Sequence, residues 1–316
     1  MPFEFASAIP ETTHLDLDEA IASLSRQRLS DTLVSASDIH LTSPGFVAFG
    51  SGDERPITKS AYVQLLHFVS LNWEDVQQGD LPDVMSQVQT RLQDRPGQLL
   101  LRTKSRTVQA ILSPTYTPVT NLDILQAAKE SLAMSKATVT VFRGYLRLTG
   151  VTDRVTFQPA VGDILSGGWE ITNNEFGKGV LSMNQFLLRL VCTNGAVVHD
   201  GEAEHRYVHR GWQREGLVQH LSTIGEATIS RMGGMDERLR RMTETRLGTH
   251  RHVDLGRASA RALGKAGVET FNETLTPDSS VYDAYNHLTF VSQKKKLGPR
   301  RELEIIAGGL LGAMMV

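Results

Sequence analysis

Residues 97–113 read GQLLLRTKSRTVQAILS. Two short runs rich in Leu, Val, Ile and Thr flank the polar pair Lys104-Ser105, which is the pattern of two strands joined by a tight turn. Upstream of Gly97 the hydrophobic period is helical. Ile57 to Asn72 opens with Thr58-Lys59-Ser60, a helix start signal, and then places Tyr62, Leu65, Leu66 and Val69 at helical spacing. Pro82 and Pro96 bracket a second helix, in which Val84, Val88 and Leu92 recur every four residues.

Downstream the signals alternate. Residues 113–120 are turn-rich, and Asn121 is placed to cap a helix over 122–134 with Leu122, Leu125 and Leu132 near one face. Residues 138–150 alternate like a strand, and 151–157 read as a tight turn into another. The glycine-rich, polar stretch 161–179 reads as a connection between strands. Asn194-Gly195 is a hairpin signal, although the apolar run before it also fits a short helix capped by that pair.

After His205 the chain turns helical. Leu217, Leu221, Ile224, Thr228, Met232, Met235, Leu239 and Met242 form a heptad-like seam, read first as a long helix packed on its own domain and second as an intermolecular coiled coil. Gly233-Gly234 weakens it, since each Gly costs about 1 kcal/mol against Ala, and this allows two helices. A shorter helix covers 255–271, and the basic loop 294–301 leads into a terminal helix. The expected fold class is α+β, an acidic N-terminal α/β body with antiparallel β-hairpins followed by a basic, mainly helical C-terminal half. Its expected parts are a lead-in at 1–96, a β-rich core at 97–204 and a helical region at 205–316, and the sequence leaves open whether the last two share a core.

The 316 residues are 40% hydrophobic and 22% charged, which places the chain among globular proteins with room for one large domain or two. The single cysteine, Cys192, excludes a disulfide framework or a multi-cysteine metal site; it reads as a small buried hydrophobe in a reducing, cytoplasmic setting. Acidic residues at the N-terminus do not fit a signal peptide. The apolar tail Ile305 to Val316 has 12 residues, short of the roughly 20 that span a bilayer, so it reads as a buried end or an oligomer contact. Net charge is −2, but residues 1–205 carry −7 and residues 206–301 carry +7. This asymmetry points to a basic working surface on an acidic body.

The expected nucleic-acid surface follows from that split. Arg257, Arg261 and Lys265, spaced by four, form a stripe on one helix, and Lys294, Lys295, Lys296, Arg300 and Arg301 add a second cluster. Arg143, Tyr145 and Arg147 alternate on one face of a strand and make a secondary surface. His199, Asp200, His205 and His209, with Glu202 and Glu204 between them, are candidates for a metal site, and an ordinary polar loop explains them as well; no metal or other cofactor is expected. There is no GxxxxGK[ST], GxGxxG or GxSxG pattern, which argues against the commonest nucleotide-binding and hydrolase classes.

Three ordered blocks then resemble a known family. RTVQAILSPTYTPVTNLDIL, VGDILSGGWEITNNEFGKGVLS with FLLRLVCTNGAVV, and VYDAYNHLTFVSQ with RRELEIIAGGLL resemble the phage/plasmid-like family of unknown function, across about residues 97 to 312. Gln109 and Asn174 depart from the family pattern, which has Arg and Ser there. The resemblance implies a mobile-element setting and assigns no activity. The resulting expectation is a nucleic-acid-binding accessory protein, favouring single-stranded DNA, active in replication or recombination as a homo-oligomer and away from membranes. A metal-dependent enzyme acting on nucleic acid or nucleotides and an oligomeric structural or interaction protein are the alternatives.

Overall fold

The computed structural model describes residues 5, 12–14, 16–43, 45–50, 52–189, 194–198, 205–207 and 214–314. In chain order the first elements are β1 (Thr12–His14), α1 (Leu17–Ser25), β2 (Leu29–Ser35), β3 (His40–Ser43), β4 (Phe46–Phe49), β5 (Asp53–Pro56), α2 (Lys59–Phe68), α3 (Trp73–Gln78) and α4 (Leu81–Asp94). The hairpin β6 (Gln98–Lys104) and β7 (Thr107–Leu112) and helix α5 (Asn121–Ser131) follow. Then come β8 (Lys136–Phe142), β9 (Tyr145–Ala160), β10 (Asp163–Asn174), β11 (Leu181–Arg189), β12 (Asn194–Val198) and β13 (His205–Tyr207). The helices α6 (Arg214–Arg231), α7 (Met235–Glu244), α8 (Gly248–Leu263), α9 (Lys265–Thr274), α10 (Val281–Ser292) and α11 (Leu297–Gly312) complete the chain. The fold is α+β with antiparallel sheets.

The opening hairpin forms with its turn one residue later than the expected Lys104-Ser105 pair: Lys104 ends β6, and Ser105 and Arg106, both at positive φ (49° and 68°), make the two-residue turn. Both central residues at positive φ match the twist of the flanking strands. The hairpin adds to β2 along Leu29–Ser35 and packs into one hydrophobic core with α2 and α4, through Tyr62, Leu65, Leu66, Val88, Leu92, Leu101 and Val108.

The larger sheet runs β1-β8-β9-β10-β11-β12, with β13 also paired to β11. Leu146 and Leu148 on β9, Trp169 and Ile171 on β10 and Met183 on β11 share one face through their cross-strand registers. They join a core with Ile124, Leu125, Leu221 and Ile224 of α5 and α6, and the Trp169 Nε1–H donates to the Gly225 carbonyl at 3.0 Å. On the opposite face, Arg147, Glu170 and Asn184 lie under α11. Phe186 and Val151 on this face pack against Ile305.

Several local expectations change. Residues 151–157 are not a turn, because β9 continues for 16 residues to Ala160. The stretch read as a glycine-rich connection is β10, buried along nearly its whole length. A strand covered on both faces loses the alternation that marks a half-exposed strand. Gly168 lies in it because β9 crosses so closely that a Cβ would sit 1.9 Å from the Gly150 carbonyl oxygen. Helix α5 is capped by Thr120, which forms a capping box with Asp123, and Asn121 is the first helical residue. Arg189 pairs with Asn194, so Asn194-Gly195 opens strand β12 and is not itself the turn; residues 190–193, Cys192 among them, lie outside the described residues.

The seam over 217–242 divides at Gly233-Gly234 into α6 and α7. All eight of its residues are buried, and its apolar members join the core of their own chain. Most of the tail packs likewise, with Ala307, Leu310, Leu311 and Met314 in that core. This removes the seam as an exposed surface for self-assembly, whereas Ile305 and Ile306 of the tail are half-buried. No described helix is long and apolar enough to cross a membrane.

Candidate nucleic-acid interface

The expected basic stripe does not survive folding. Gly264, at φ 73°, ends α8, and Lys265 begins α9, so Arg257 and Arg261 no longer share a helix with Lys265. All three remain exposed. Arg261 meets Glu302 at 3.0 Å, but its side chain is 85% exposed. A pair that solvated is worth roughly 0–1 kcal/mol, which leaves the guanidinium available.

Arg147 is a correction. It is 3% exposed and donates to Glu170 at 2.7 Å and to Glu304. Arg300 holds the other oxygen of Glu304 at 3.0 Å, and Arg301 grips Glu170 through two bonds of 3.0 Å. Burial alone would raise the Glu170 pKa, but Arg147 and Arg301 together hold it below the usual carboxylate range. This cluster pins α11 to the sheet. It takes Arg147 out of contact with any ligand and commits most of Arg300 and Arg301 to structure. In the lysine run, Lys294 lies 4.7 Å from the Phe290 ring centre and Lys295 Nζ donates to the Leu263 carbonyl at 2.7 Å. Lys296 stays exposed at the start of α11.

A groove emerges around the residues expected only as a secondary surface. A cavity of 510 Å³ is lined by Lys59, Ser60, Gln109, Arg143, Asn174 and Lys178, together with Phe142, Tyr145 and Phe176. A second, of 980 Å³, shares Phe142 and Tyr145 and continues past Arg261, Lys296 and Arg301. A third, of 670 Å³, carries Arg246, His250 and Arg251 and meets the second at Ala258.

The wall between the first two cavities is the β8–β9 turn, and its shape is over-determined. Arg143 and Gly144 both have positive φ, at 49° and 77°. The Gly144 carbonyl accepts from Asn121 Nδ2 and from the Glu175 N–H, each at 3.0 Å. Asn173 Nδ2 donates to Asn121 Oδ1 at 2.8 Å, and the Asn121 N–H donates to Glu175 Oε2 at 2.9 Å. The Phe176 ring lies so close to Gly144 that a Cβ there would approach it to 2.2 Å. Arg102, fully buried and bidentate to Asp31 at 2.7 and 2.8 Å, donates to the Glu175 carbonyl. Gln64 joins the Phe176 carbonyl to the Ile111 N–H, which ties this turn region to the N-terminal core. Burial pushes the Glu175 carboxyl up, with the Asn121 N–H opposing, and pushes Tyr116 up to about 12.

No family model, curated protein or solved structure matches this chain. The site therefore has to be read from its own chemistry.

Among the described residues Lys59, Arg143, Lys178 and Lys296 form no ion pair, and no carboxylate lines the 510 Å³ cavity. Lys59 instead lies 4.6 Å from the Trp73 ring centre and Arg143 4.8 Å from that of Phe142. Sequence reasoning found Arg143, Tyr145, Arg261 and Lys296, and missed Lys59, Gln109 and Lys178. Gln109 and Asn174, the two departures from the resembled pattern, both line the cavity. Of the expected metal ligands, His199, Asp200 and His209 lie outside the described residues, as does the side chain of His205. The described residues hold no cluster of three metal-ligating side chains.

Proposed function

We propose that this protein binds nucleic acid, single strands in preference to duplex, along the groove that runs from Lys59 past Phe142 and Tyr145 to Lys296. The observation that carries the reading is the convergence of Lys59, Arg143 and Lys178, without acidic partners, on one cavity that shares an aromatic wall with a second holding Lys296. Phosphates are drawn to cations whose charge is not already neutralised. A half-exposed Phe and Tyr between such cations give unpaired bases a surface to stack on. Cations already held by Glu170, Glu304 and Glu237 take no part in this reading. The proposed setting is that of a phage or plasmid accessory protein, on the resemblance of residues 97–312.

Fluorescence anisotropy of labelled single-stranded DNA, duplex DNA and RNA at several salt concentrations tests it. Four phosphate contacts on a single strand give a slope of log K against log[salt] of about −3, since each contributes about −0.7. Arg143→Gly removes one cation and relieves a positive φ, so the slope flattens by about 0.7 in a folded protein. Lys296→Glu weakens binding further. Equal affinity for single strands and duplex, or a slope that neither variant changes, contradicts the reading.

A further inference from the structure

We infer that the 510 Å³ cavity at the start of α2 is a site for a phosphate monoester, borne by the end of a nucleic-acid strand or by a free nucleotide. The inference rests on the groove reading and names the group taken at one end of it. Three cations, Lys59, Arg143 and Lys178, face a cavity lined by no carboxylate. A backbone phosphodiester carries a single charge, whereas a monoester carries about −1.5 to −2 at neutral pH and matches that excess of positive charge better.

The neutral donors point the same way. In the first turn of α2 the Ala61 N–H is taken by the Thr58 hydroxyl at 3.2 Å and the Tyr62 N–H by the Thr58 carbonyl at 2.9 Å. The N–H groups of Lys59 and Ser60 remain as first-turn donors at the positive end of a ten-residue helix. Independently of the helix, Gln109 is 8% exposed and lines the cavity, yet its side-chain amide has no hydrogen-bond partner among the described residues. The Ser60 hydroxyl, also in the lining, is buried without a partner. The buried Ser60 hydroxyl left open in this way is completed by a ligand or by water, and the Gln109 amide lines the same cavity. Phe142 and Tyr145, on the wall shared with the 980 Å³ cavity, provide the exit, so a strand anchored by its terminal phosphate continues into the larger groove.

The test compares one oligonucleotide sequence, internally labelled, with a 5′-phosphate, a 3′-phosphate or hydroxyls at both ends, and measures adenosine monophosphate alone by calorimetry. One phosphorylated end is expected to bind about tenfold more tightly than the hydroxyl form. That ratio collapses towards one in Lys178→Ala and in Lys59→Ala, each checked for folding by thermal melting. Monophosphate binding that is lost in Lys178→Ala, without any oligonucleotide binding, supports the site, assigns it to free nucleotide and removes the groove reading. Equal binding of all three oligonucleotides overturns the monoester site and leaves the groove standing. A preference that survives both substitutions also overturns it. Binding of neither oligonucleotide nor monophosphate overturns both.

Discussion

Glu170→Gln removes one of two carboxylates from a cluster that also holds Arg147, Arg300 and Arg301. In the native protein Glu170 is fully buried and accepts from Arg147 at 2.7 Å, from Arg301 twice at 3.0 Å and from Asn184 at 3.3 Å. Each Arg–Glu attraction at this range is about 4 kcal/mol at an effective dielectric constant of 20, and desolvation of the carboxylate offsets much of the two. What remains after one partner of a buried pair is lost is a net cost of about 3–5 kcal/mol, because Arg147 stays buried with its charge half compensated. With a urea m-value of about 3 kcal/mol per molar, the unfolding midpoint falls by about 1 to 1.7 M. Tryptophan fluorescence and far-ultraviolet circular dichroism report the transition. The double variant Arg147→Met/Glu170→Met should be more stable than the sum of the two single changes implies, because the buried charge and its partner leave together. The Glu170 pKa is lowered on folding, so its contribution is present at neutral pH and is lost as pH falls through the folded value, below the usual carboxylate range. The gap between wild type and Glu170→Gln therefore closes in strong acid. A midpoint shift under about 0.3 M at pH 7, or strict additivity in the double variant, would show that the cluster is solvated and the reasoning wrong.

Two other outcomes follow from the same geometry. Glu175 has a raised pKa from burial, so its ionisation opposes folding; stability is full below the unfolded pKa and is lost as pH rises through the folded one. Glu175→Gln, which keeps an acceptor for the Asn121 N–H, should raise the melting temperature at pH 8 and leave it unchanged near pH 4, as differential scanning calorimetry would show. Gly144→Ala places a Cβ 2.2 Å from a buried Phe176 ring at φ 77° and should cost about 2–4 kcal/mol in urea unfolding, while Arg143→Gly in the same turn is neutral or stabilising.

The candidate site was legible in part. Arg143 and Tyr145 were reached as alternating residues of a stretch read as one strand, which the structure breaks at Arg143-Gly144, and Lys296 and Arg261 belong to visible basic runs. Lys59 and Lys178 stand alone in the sequence, 119 positions apart, and Gln109 is one polar residue in an apolar strand. Nothing local distinguishes them from ordinary surface or core, and only the approach of α2 and β7 to the β8–β9 turn makes them one site.

The sequence by itself determined what depends on neighbours a few residues away. That covers the α+β class, the hairpin at 97–113 and the existence of an apolar seam over 217–242 with a weak point at Gly233-Gly234, whose inward packing and break the tertiary structure then decided. Each follows from side-chain period or backbone permissiveness, which are local properties. Tertiary structure alone decided the rest. It buried β10 on both faces and so erased its alternation, and Gly264 turned the chain between Arg261 and Lys265. It also sorted the cations. Arg147 and Arg301 are as basic in sequence as Arg143 and Lys296, but Glu170 and Glu304 neutralise the first pair from distant positions and leave the second to face solvent. Charge along a chain is a count; whether it is free to meet a ligand is settled by which acids the fold brings within about 4 Å.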